Sequence, residues 1–255
     1  MKQRFTNLLY ELGQAEKTRK FYRQVVKAMA FLNVHDSFSY TTYYNETQND
    51  KWIAEYVFPG KRGGYFVEAG AANGREASSC YVLEKEFGWT GICVEPNDMF
   101  FEKLVQNRPN SICEKLCLSE HSGKVVYIEG DEHTVSPYLG GIKENLEKFK
   151  YKGTEVIQKG KEVEKDAITI ESLLKKHNAP PVIDYGAFDI EGSELKVLEK
   201  FPFNEYQFLA LSLECDRSIS LEIRKLLLPY GYISVRNPFN KDKPWEQYFL
   251  HESIF

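Results

Sequence analysis

The sequence lacks three features that would each define a class of protein. No apolar run approaches the roughly 18 residues that a membrane-spanning helix needs. Leu8-Leu9-Tyr10 is ended by Glu11 and is too short for the core of a signal peptide. With 33 basic and 37 acidic residues, the net charge of −4 disfavours a dedicated nucleic-acid binder, which needs a basic face. We therefore expect a cytoplasmic protein with no transmembrane segment and no nucleic-acid partner.

Cysteine is also scarce. The five cysteines are an odd number, and in a chain without a signal peptide we interpret them as reduced thiols. A length of 255 residues with 42% hydrophobic residues predicts a core that needs neither disulfides nor a structural metal. This length favours one α/β domain with a small addition.

The first 47 residues differ in pattern from the rest. Residues 1–35 carry seven Lys or Arg and two acidic residues, and their apolar residues recur at helical spacing. They predict one or two amphipathic helices, which either pack on the main domain or dock on an anionic membrane or a partner. Within the aromatic stretch 37–44, Tyr40, Tyr43 and Tyr44 either line an acceptor pocket or close over the core.

From residue 48 to residue 255, apolar strands alternate with amphipathic helices, which predicts a parallel sheet with helices on both faces. The predicted elements include a helix from about Glu76 to Glu86, a strand from Ile112 to Leu118, and a final strand pair near Ile233 and Tyr248 to His251. Residues 130–165 are polar, contain glycine and show little periodicity. They predict a functional loop or lid.

A glycine-rich turn follows the first predicted strand. Glu68, Gly70 and Gly74 form an E-x-G-x-x-x-G pattern, and such a turn lets a ligand approach backbone N–H groups closely. The spacing differs from the G-x-G-x-x-G of dinucleotide-binding folds. It resembles the first motif of S-adenosylmethionine-dependent methyltransferases, whose loop holds the amino-acid end of the cofactor. Glu95, at the tip of the second strand, is placed to accept both hydroxyls of a ribose.

Acidic residues also follow two later strands. Asp189 and Glu191 end one strand, and Glu214 and Asp216 end the next, so these carboxylates are expected to meet in one cleft. Crowded carboxylates either raise one another's pKa or bind a hard cation. Asp189, Glu191 and Glu214 are therefore candidate general bases for methyl transfer to a hydroxyl, and candidate ligands of Mg²⁺ or Mn²⁺. His133, in the expected lid, is a further candidate base.

Several motifs, in order, resemble those of the FkbM-type methyltransferases. The resemblance runs from about Gln48 to the C-terminus and leaves out the first 47 residues. It is carried by the segments Gln48-Asn-Asp-Lys-Trp52, Gly64-Tyr-Phe-Val-Glu-Ala-Gly-Ala-Ala-Asn-Gly74, Ser78-Ser79, Leu83-Glu-Lys85, Gly88-Trp-Thr-Gly-Ile-Cys-Val-Glu-Pro96, Cys117-Leu-Ser119, Thr169-Ile170, Leu173-Leu174 and Phe188-Asp-Ile-Glu-Gly-Ser-Glu-Leu195.

The resemblance implies a Rossmann-like class I methyltransferase fold with a mostly parallel seven-stranded sheet, following an N-terminal helical extension. It implies O-methylation with S-adenosylmethionine, often of a sugar hydroxyl in a glycan, glycolipid or natural product, so a carbohydrate is the expected partner. Asn73 departs from the family, which usually has Asp there. The expected cofactor contacts are Glu68, Gly70, Ala71, Asn73, Gly74, Ser78, Glu95, Pro96, Ser119 (near the adenine) and Asp189.

Two other classes remain open at this point, as does a homo-oligomeric state. An NAD-dependent oxidoreductase would share the fold and Glu95, although the third glycine of its fingerprint is missing. A non-enzymatic scaffold could bind the cofactor and hold a partner through the basic N-terminal helix. A methyltransferase acting on the amino groups of bases is disfavoured, because Asp189-Ile-Glu-Gly stands where that class usually has a proline-containing run.

Overall fold

The computed structural model describes residues 41–130, 133, 136–147, 153–215, 219–240 and 242–255. The chain divides into two units, Met1–Thr42 and Tyr43–Phe255, and the features below belong to the second. The predicted N-terminal helices, their docking role, Tyr40 and Asp216 lie outside the described residues. No helix in the described part is both long and apolar enough to cross a membrane.

A seven-stranded sheet forms the centre of the second unit, in the order β3-β2-β1-β8-β9-β11-β10. Strand β11 pairs antiparallel with both of its neighbours, whereas the other pairs are parallel. The expected mostly parallel sheet and its final strand pair are confirmed. The strands are β1 Tyr65–Ala69, β2 Thr90–Val94, β3 Ile112–Glu114, β8 Val182–Phe188, β9 Gln207–Glu214, β10 Tyr232–Val235 and β11 Glu246–His251.

Helices connect most of these strands. The helices are α1 Asn49–Lys51, which continues as a π-helix over Trp52–Val57, then α2 Tyr81–Phe87, α3 Asp98–Asn107, α4 Lys143–Leu146, α5 Gly153–Lys159, α6 Ile170–Lys176, α7 Glu194–Glu199 and α8 Ser220–Leu227. Helix α3 begins where the side chain of Asn97 accepts a hydrogen bond from Met99 N, and it buries Phe100 and Leu104. The helix expected from about Glu76 begins only at Tyr81, because residues 71–80 form turns.

A second, four-stranded sheet has the order β4-β7-β5-β6. Its strands are β4 Cys117–Leu118, β5 Gly123–Glu129, β6 Gly141–Ile142 and β7 Lys161–Ile168. The prediction of one strand from Ile112 to Leu118 is wrong, because β3 and β4 belong to different sheets. The expected loop 130–165 is also too long, since its last five residues belong to β7 and pair antiparallel with β5.

The hydrophobic core lies mainly against the central sheet, where β1, β2, β8 and β9 are almost fully buried. The second sheet has a cluster of its own, formed by Cys117, Val125, Tyr127, Ile142 and Ala167. A third cluster joins Ile128, Leu146 and Val156. Most of residues 115–169 therefore pack around separate cores, although Leu116 and Leu118 belong to the central core. We call residues 115–169 the insertion.

Candidate active site

A cavity of about 820 Å³ opens at the carboxyl ends of the central strands, where open α/β sheets bind their ligands. The loop after β1, the loop after β2, the turn after β8 and the last residue of β9 each contribute to its wall. Seven of the predicted site residues line this one cavity: Gly70, Ala71, Glu95, Pro96, Asp189, Glu191 and Glu214.

Gly70 brings the loop after β1 against the turn after β8. Its φ is +79°, and a Cβ at this position would lie 1.9 Å from the carbonyl oxygen of Asp189. Asp189 N also donates a hydrogen bond to Ala69 O at 3.0 Å. Only glycine fits, because any side chain would meet backbone that cannot move aside. The cavity therefore has bare backbone where β1 ends.

Glu95 is the buried acid at the end of β2. Its carboxylate accepts hydrogen bonds from Ala72 N and Asn97 N, each at 2.8 Å. Burial raises its pKa to about 7, although these two N–H groups and the charge of Lys165 act in the opposite direction. Each carboxylate oxygen keeps a further lone pair, so Glu95 can still accept hydrogen bonds from a ligand.

Asp189, Glu191 and Glu214 also line the cavity, close enough for their charges to interact. The side chain of Asp189 is open to the cavity but lies deep among protein atoms. This desolvation raises its pKa well above the usual range, and the neighbouring carboxylates of Glu214 and Glu191 raise it further. Asp189 therefore holds its proton more tightly than an aspartate in water does.

The insertion supplies an apolar side of the cavity. Cys117, Leu118 and Tyr127 line it from the second sheet, with Leu116 just before β4, and residues 137–142 line it from β6 and the segment that leads into it. The ring of Tyr138 lies 4.7 Å from that of Phe100, at the start of α3. This side offers hydrocarbon and aromatic surface to a planar ligand such as a base.

Trp245 and Glu46 lie at another part of the wall. Trp245 O accepts a hydrogen bond from Cys215 N at 3.0 Å, which fixes the tryptophan next to Glu214. Glu46 pairs with Lys243, whose ammonium also lies 5.7 Å from the Trp245 ring. An aromatic face and three acids, Glu46, Glu214 and Asp189, therefore border the same wall of the cavity.

Glu68 and Ser78, both expected to contact a cofactor, do not line this cavity. Glu68 Oε1 accepts from Ser78 Oγ at 2.8 Å and from Ser79 N at 2.7 Å, while Arg108 Nη1 lies 2.7 Å from Glu68 Oε2. Arg108 also pairs with Glu84, and all three charged residues are buried. These residues fasten the loop 75–80 to β1 and α3.

Gly74 and Asn73 serve the fold of the same loop. A Cβ on Gly74 would lie 2.6 Å from the Leu104 side chain and 2.8 Å from that of Arg108. Asn73 Oδ1 accepts from Arg75 N and Glu76 N, so this asparagine caps the turn. That role needs only a side-chain oxygen, which explains why Asn can stand where the family usually has Asp.

The remaining predicted residues lie elsewhere. Ser119 is buried, and its hydroxyl donates to Glu120 rather than facing the cavity. His133 is exposed and is not part of the cavity wall. Within the described ranges, no group of three or more His, Cys, Asp or Glu side chains has the arrangement of a metal site. The expected Mg²⁺ or Mn²⁺ on Asp189, Glu191 and Glu214 is therefore not supported.

Two tyrosines of the aromatic stretch close over the core instead of lining the cavity. Tyr43 Oη donates to Glu55 at 2.9 Å, and the Tyr44 ring packs edge-on against Tyr81 at 5.2 Å. Sequence reasoning missed six residues of the wall: Phe100, Leu116, Tyr127, Tyr138, Ile142 and Trp245. Of these, only Tyr138 has a signal in the sequence, because it lies in the stretch 136–141, which contains aromatic residues and glycine.

The strand order, the antiparallel β11 and the cavity with an acid at the tip of β2 define a class I S-adenosylmethionine-dependent methyltransferase. The family model of the methyltransferase FkbM domain matches residues 68–234, about two thirds of the chain. The protein therefore belongs to the FkbM methyltransferase domain family, and the resemblance noted in its sequence is confirmed.

Solved structures of other methyltransferases are similar to this chain at low identity. A TehB-like SAM-dependent methyltransferase from Corynebacterium glutamicum is 9% identical, with a TM-score of 0.39 over 91% of this chain and 94% of that one. The N-terminal domain of human METTL16 is 11% identical, with a TM-score of 0.40 over 78% and 66%. M. capricolum TrmK, in complex with S-adenosylhomocysteine, is 11% identical, with a TM-score of 0.37 over 79% and 65%. No curated protein matches the chain.

Proposed function

We propose that this methyltransferase transfers the methyl group of S-adenosylmethionine to a hydroxyl group of an uncharged carbohydrate. The observation that carries the proposal is the charge of the cavity. Its described wall contains no Lys, Arg or His side chain but six acids, of which Glu46 is paired with Lys243: Glu46, Glu76, Glu95, Asp189, Glu191 and Glu214. At the acceptor's place, Asp189, Glu191 and Glu214 would repel a phosphate or carboxylate group, whereas hydroxyl groups can donate hydrogen bonds to them.

The residues of the cavity fit the cofactor. Glu95 is a buried acid with no ion-pair partner within the described residues, and a ribose diol would supply two hydrogen-bond donors to it. The bare backbone of Gly70 and Ala71 leaves room for the amino-acid end. The apolar surface at Leu116 and Leu118 suits the adenine. When bound, the cofactor supplies a methyl group already activated by its positively charged sulfur.

The acids beyond Gly70 would then serve the acceptor. A sugar hydroxyl loses its proton only far above neutral pH, so a base must take that proton as the oxygen attacks. Asp189 suits this role, since burial and the neighbouring carboxylates raise its pKa and make it a stronger base than an aspartate in water. Its backbone also lies against Gly70, beside the methyl donor's place. Glu191 and Glu214 would hold other hydroxyls of the sugar and fix the direction of attack.

Trp245 supports the choice of a carbohydrate over other hydroxyl compounds. Its side chain is half-buried in the wall, next to Glu214. Sugar rings present patches of C–H groups that pack on aromatic faces while their hydroxyls bind acids at the ring edge. An aromatic face beside carboxylates matches both requirements of a pyranose.

The test uses cofactor labelled in its methyl group and four pools of acceptors. These are neutral glycans, uronic-acid and phosphorylated glycans, small amines, and RNA. We expect label in the neutral glycan pool, in a product that survives mild base, because a methyl ether resists hydrolysis and a methyl ester does not. Asp189→Asn should abolish transfer, while the exposed Glu102→Gln serves as the matched control. Label in RNA, in amines or in a base-labile product would overturn the proposal.

A further inference from the structure

The turn after β8 has a backbone conformation that its sequence does not favour. Ser193 N donates to Ile190 O at 3.3 Å, and the two central residues have positive φ, +52° at Glu191 and +94° at Gly192. Both values are those of a type I′ turn, which suits glycine and asparagine at its first central position. A glutamate there is strained by about 1–2 kcal/mol. Some other group must hold Glu191 in this conformation.

Glu194 is placed to do so. Its side chain is fully buried, and Oε1 accepts hydrogen bonds from Ile190 N at 3.0 Å and Gly192 N at 3.4 Å. These are the N–H groups on either side of Glu191. The other oxygen, Oε2, is buried and makes no hydrogen bond to any described residue. The carboxyl group of Glu194 therefore bridges the turn.

The insertion holds the same turn from the other side. Asn145 Nδ2, in α4, donates to Ser193 Oγ at 2.6 Å, and both residues are buried. At Gly141 a Cβ would lie 3.1 Å from the Cβ of Glu191. The turn is therefore clamped between Glu194 beneath it and the insertion above it, with Asp189 and Glu191 lining the cavity between.

We propose that Glu194 is a positioning residue, whose carboxyl group locks the turn so that Asp189 and Glu191 face the acceptor. The reaction it serves is the one proposed above. Burial raises the pKa of Glu194 to about 8, so near neutral pH the group carries a proton and bridges the two N–H groups through its carbonyl oxygen. A glutamine at this position keeps the same oxygen. The turn therefore requires a side-chain oxygen that accepts both hydrogen bonds, and not a negative charge.

The experiment compares Glu194→Gln with Glu194→Ala in the full chain, with Glu199→Gln on the exposed end of the same helix as the control. For Glu194→Ala we expect kcat to fall about tenfold to a hundredfold. The Kd for S-adenosylhomocysteine should stay within about twofold, because the proposed contacts of its ribose and adenine lie on other loops. Glu194→Gln should restore most of kcat. A residue that only stabilises the fold would not separate kcat from cofactor binding in this way.

Hydrogen exchange of the peptide that covers residues 188–195 supplies a readout that does not depend on turnover. We expect the amides of Ile190 and Gly192 to exchange at least about tenfold faster in Glu194→Ala and at the wild-type rate in Glu194→Gln. If the wild-type protein methylates no carbohydrate, the proposed function fails while these amides still test the bridge. Unchanged exchange in Glu194→Ala, or a wild-type kcat in that variant, would overturn the positioning role.

Discussion

Arg108 Nη1 lies 2.7 Å from Glu68 Oε2, and Arg108 Nε lies 2.8 Å from Glu84 Oε2, with all three side chains buried. One arginine at the end of α3 thus joins β1 to α2. The carboxylate of Glu68 also accepts from Ser79 N at 2.7 Å. The acid of the E-x-G-x-x-x-G pattern is therefore part of the scaffold that shapes the cofactor loop.

Removing the arginine should destabilise the protein. We expect Arg108→Leu to lower the free energy of unfolding by about 3–5 kcal/mol, because Glu68 and Glu84 would remain buried without a cation. Urea denaturation measures this change. Lys159→Ala, which breaks the exposed pair with Glu155, should cost less than about 0.5 kcal/mol. A similar loss in both variants would contradict the structural role of Arg108.

Alanine substitutions at two glycines with positive φ allow the cost of backbone strain to be measured separately from the cost of a steric clash. At Gly63 (φ +69°) a Cβ would meet nothing within 4 Å, whereas at Gly70 it would strike Asp189 O. We expect Gly63→Ala to cost about 1 kcal/mol and to leave cofactor binding unchanged. Gly70→Ala should weaken the binding of S-adenosylhomocysteine at least about tenfold, because the loop and the turn must separate. Calorimetric titration of both variants tests this, and equal affinities would count against the assigned contact.

Glu95 predicts how cofactor affinity depends on pH. Its pKa in the free protein is raised to about 7, and donors from a ribose favour its ionised form. Below pH 7 the ligand must displace a proton, so affinity falls as pH falls and levels off above about pH 8. Between pH 8 and pH 6 we expect a loss of about tenfold in the affinity for S-adenosylhomocysteine.

The variant Glu95→Gln isolates this effect from other titrating groups. It should bind more weakly at pH 8 and lose most of the pH dependence. Wild-type binding should also release protons near pH 6.5, which calorimetry in buffers of different ionisation enthalpy detects. Proton uptake in that range would show that the ribose is not held by an ionised Glu95.

Trp245→Ala tests the proposed sugar platform. We expect the KM for a neutral glycan to rise about tenfold, which corresponds to roughly 1.4 kcal/mol of lost packing. Cofactor affinity should be unchanged, because the backbone contact of residue 245 with Cys215 does not need the side chain. Tyr230→Ala, which removes a half-exposed ring outside the cavity, is the control. An unchanged KM would remove the tryptophan from the acceptor site.

The sequence predicts the central sheet well, because strands that are buried on both faces appear as short apolar runs. It also places Gly70, Glu95 and Asp189 at strand ends, and the topology brings those ends together. It fails for β7, whose sequence Lys161-Glu-Val-Glu-Lys165 looks like a solvated loop. Pairing with β5 makes this segment a strand, and a distant partner of that kind leaves little local signal.

For the candidate site, too, the sequence predicts some residues correctly and misassigns or misses others. Glu68 and Glu95 both stand at or near the ends of apolar strands, yet one is neutralised by Arg108 and the other borders the cavity. Arg108 lies 40 residues from Glu68 in the sequence, and the residues next to either one do not indicate that the two form an ion pair. The two glycines of the pattern also look alike in the sequence but differ in role. Gly70 lines the cavity, whereas Gly74 leaves room for the side chain of Leu104 in α3. Trp245 and Tyr138 reach the wall only through tertiary folding.

The separate cores of the insertion have an evolutionary consequence. Its apolar clusters at Val125 and Ile128 are distinct from the core of the central sheet, so substitutions within these clusters need not disturb the strands that carry Glu95 and Asp189. The apolar side of the cavity is then free to diversify while the acids at the ends of the central strands stay in place. Relatives that share these acids and differ in the apolar side are the expected product of such an arrangement.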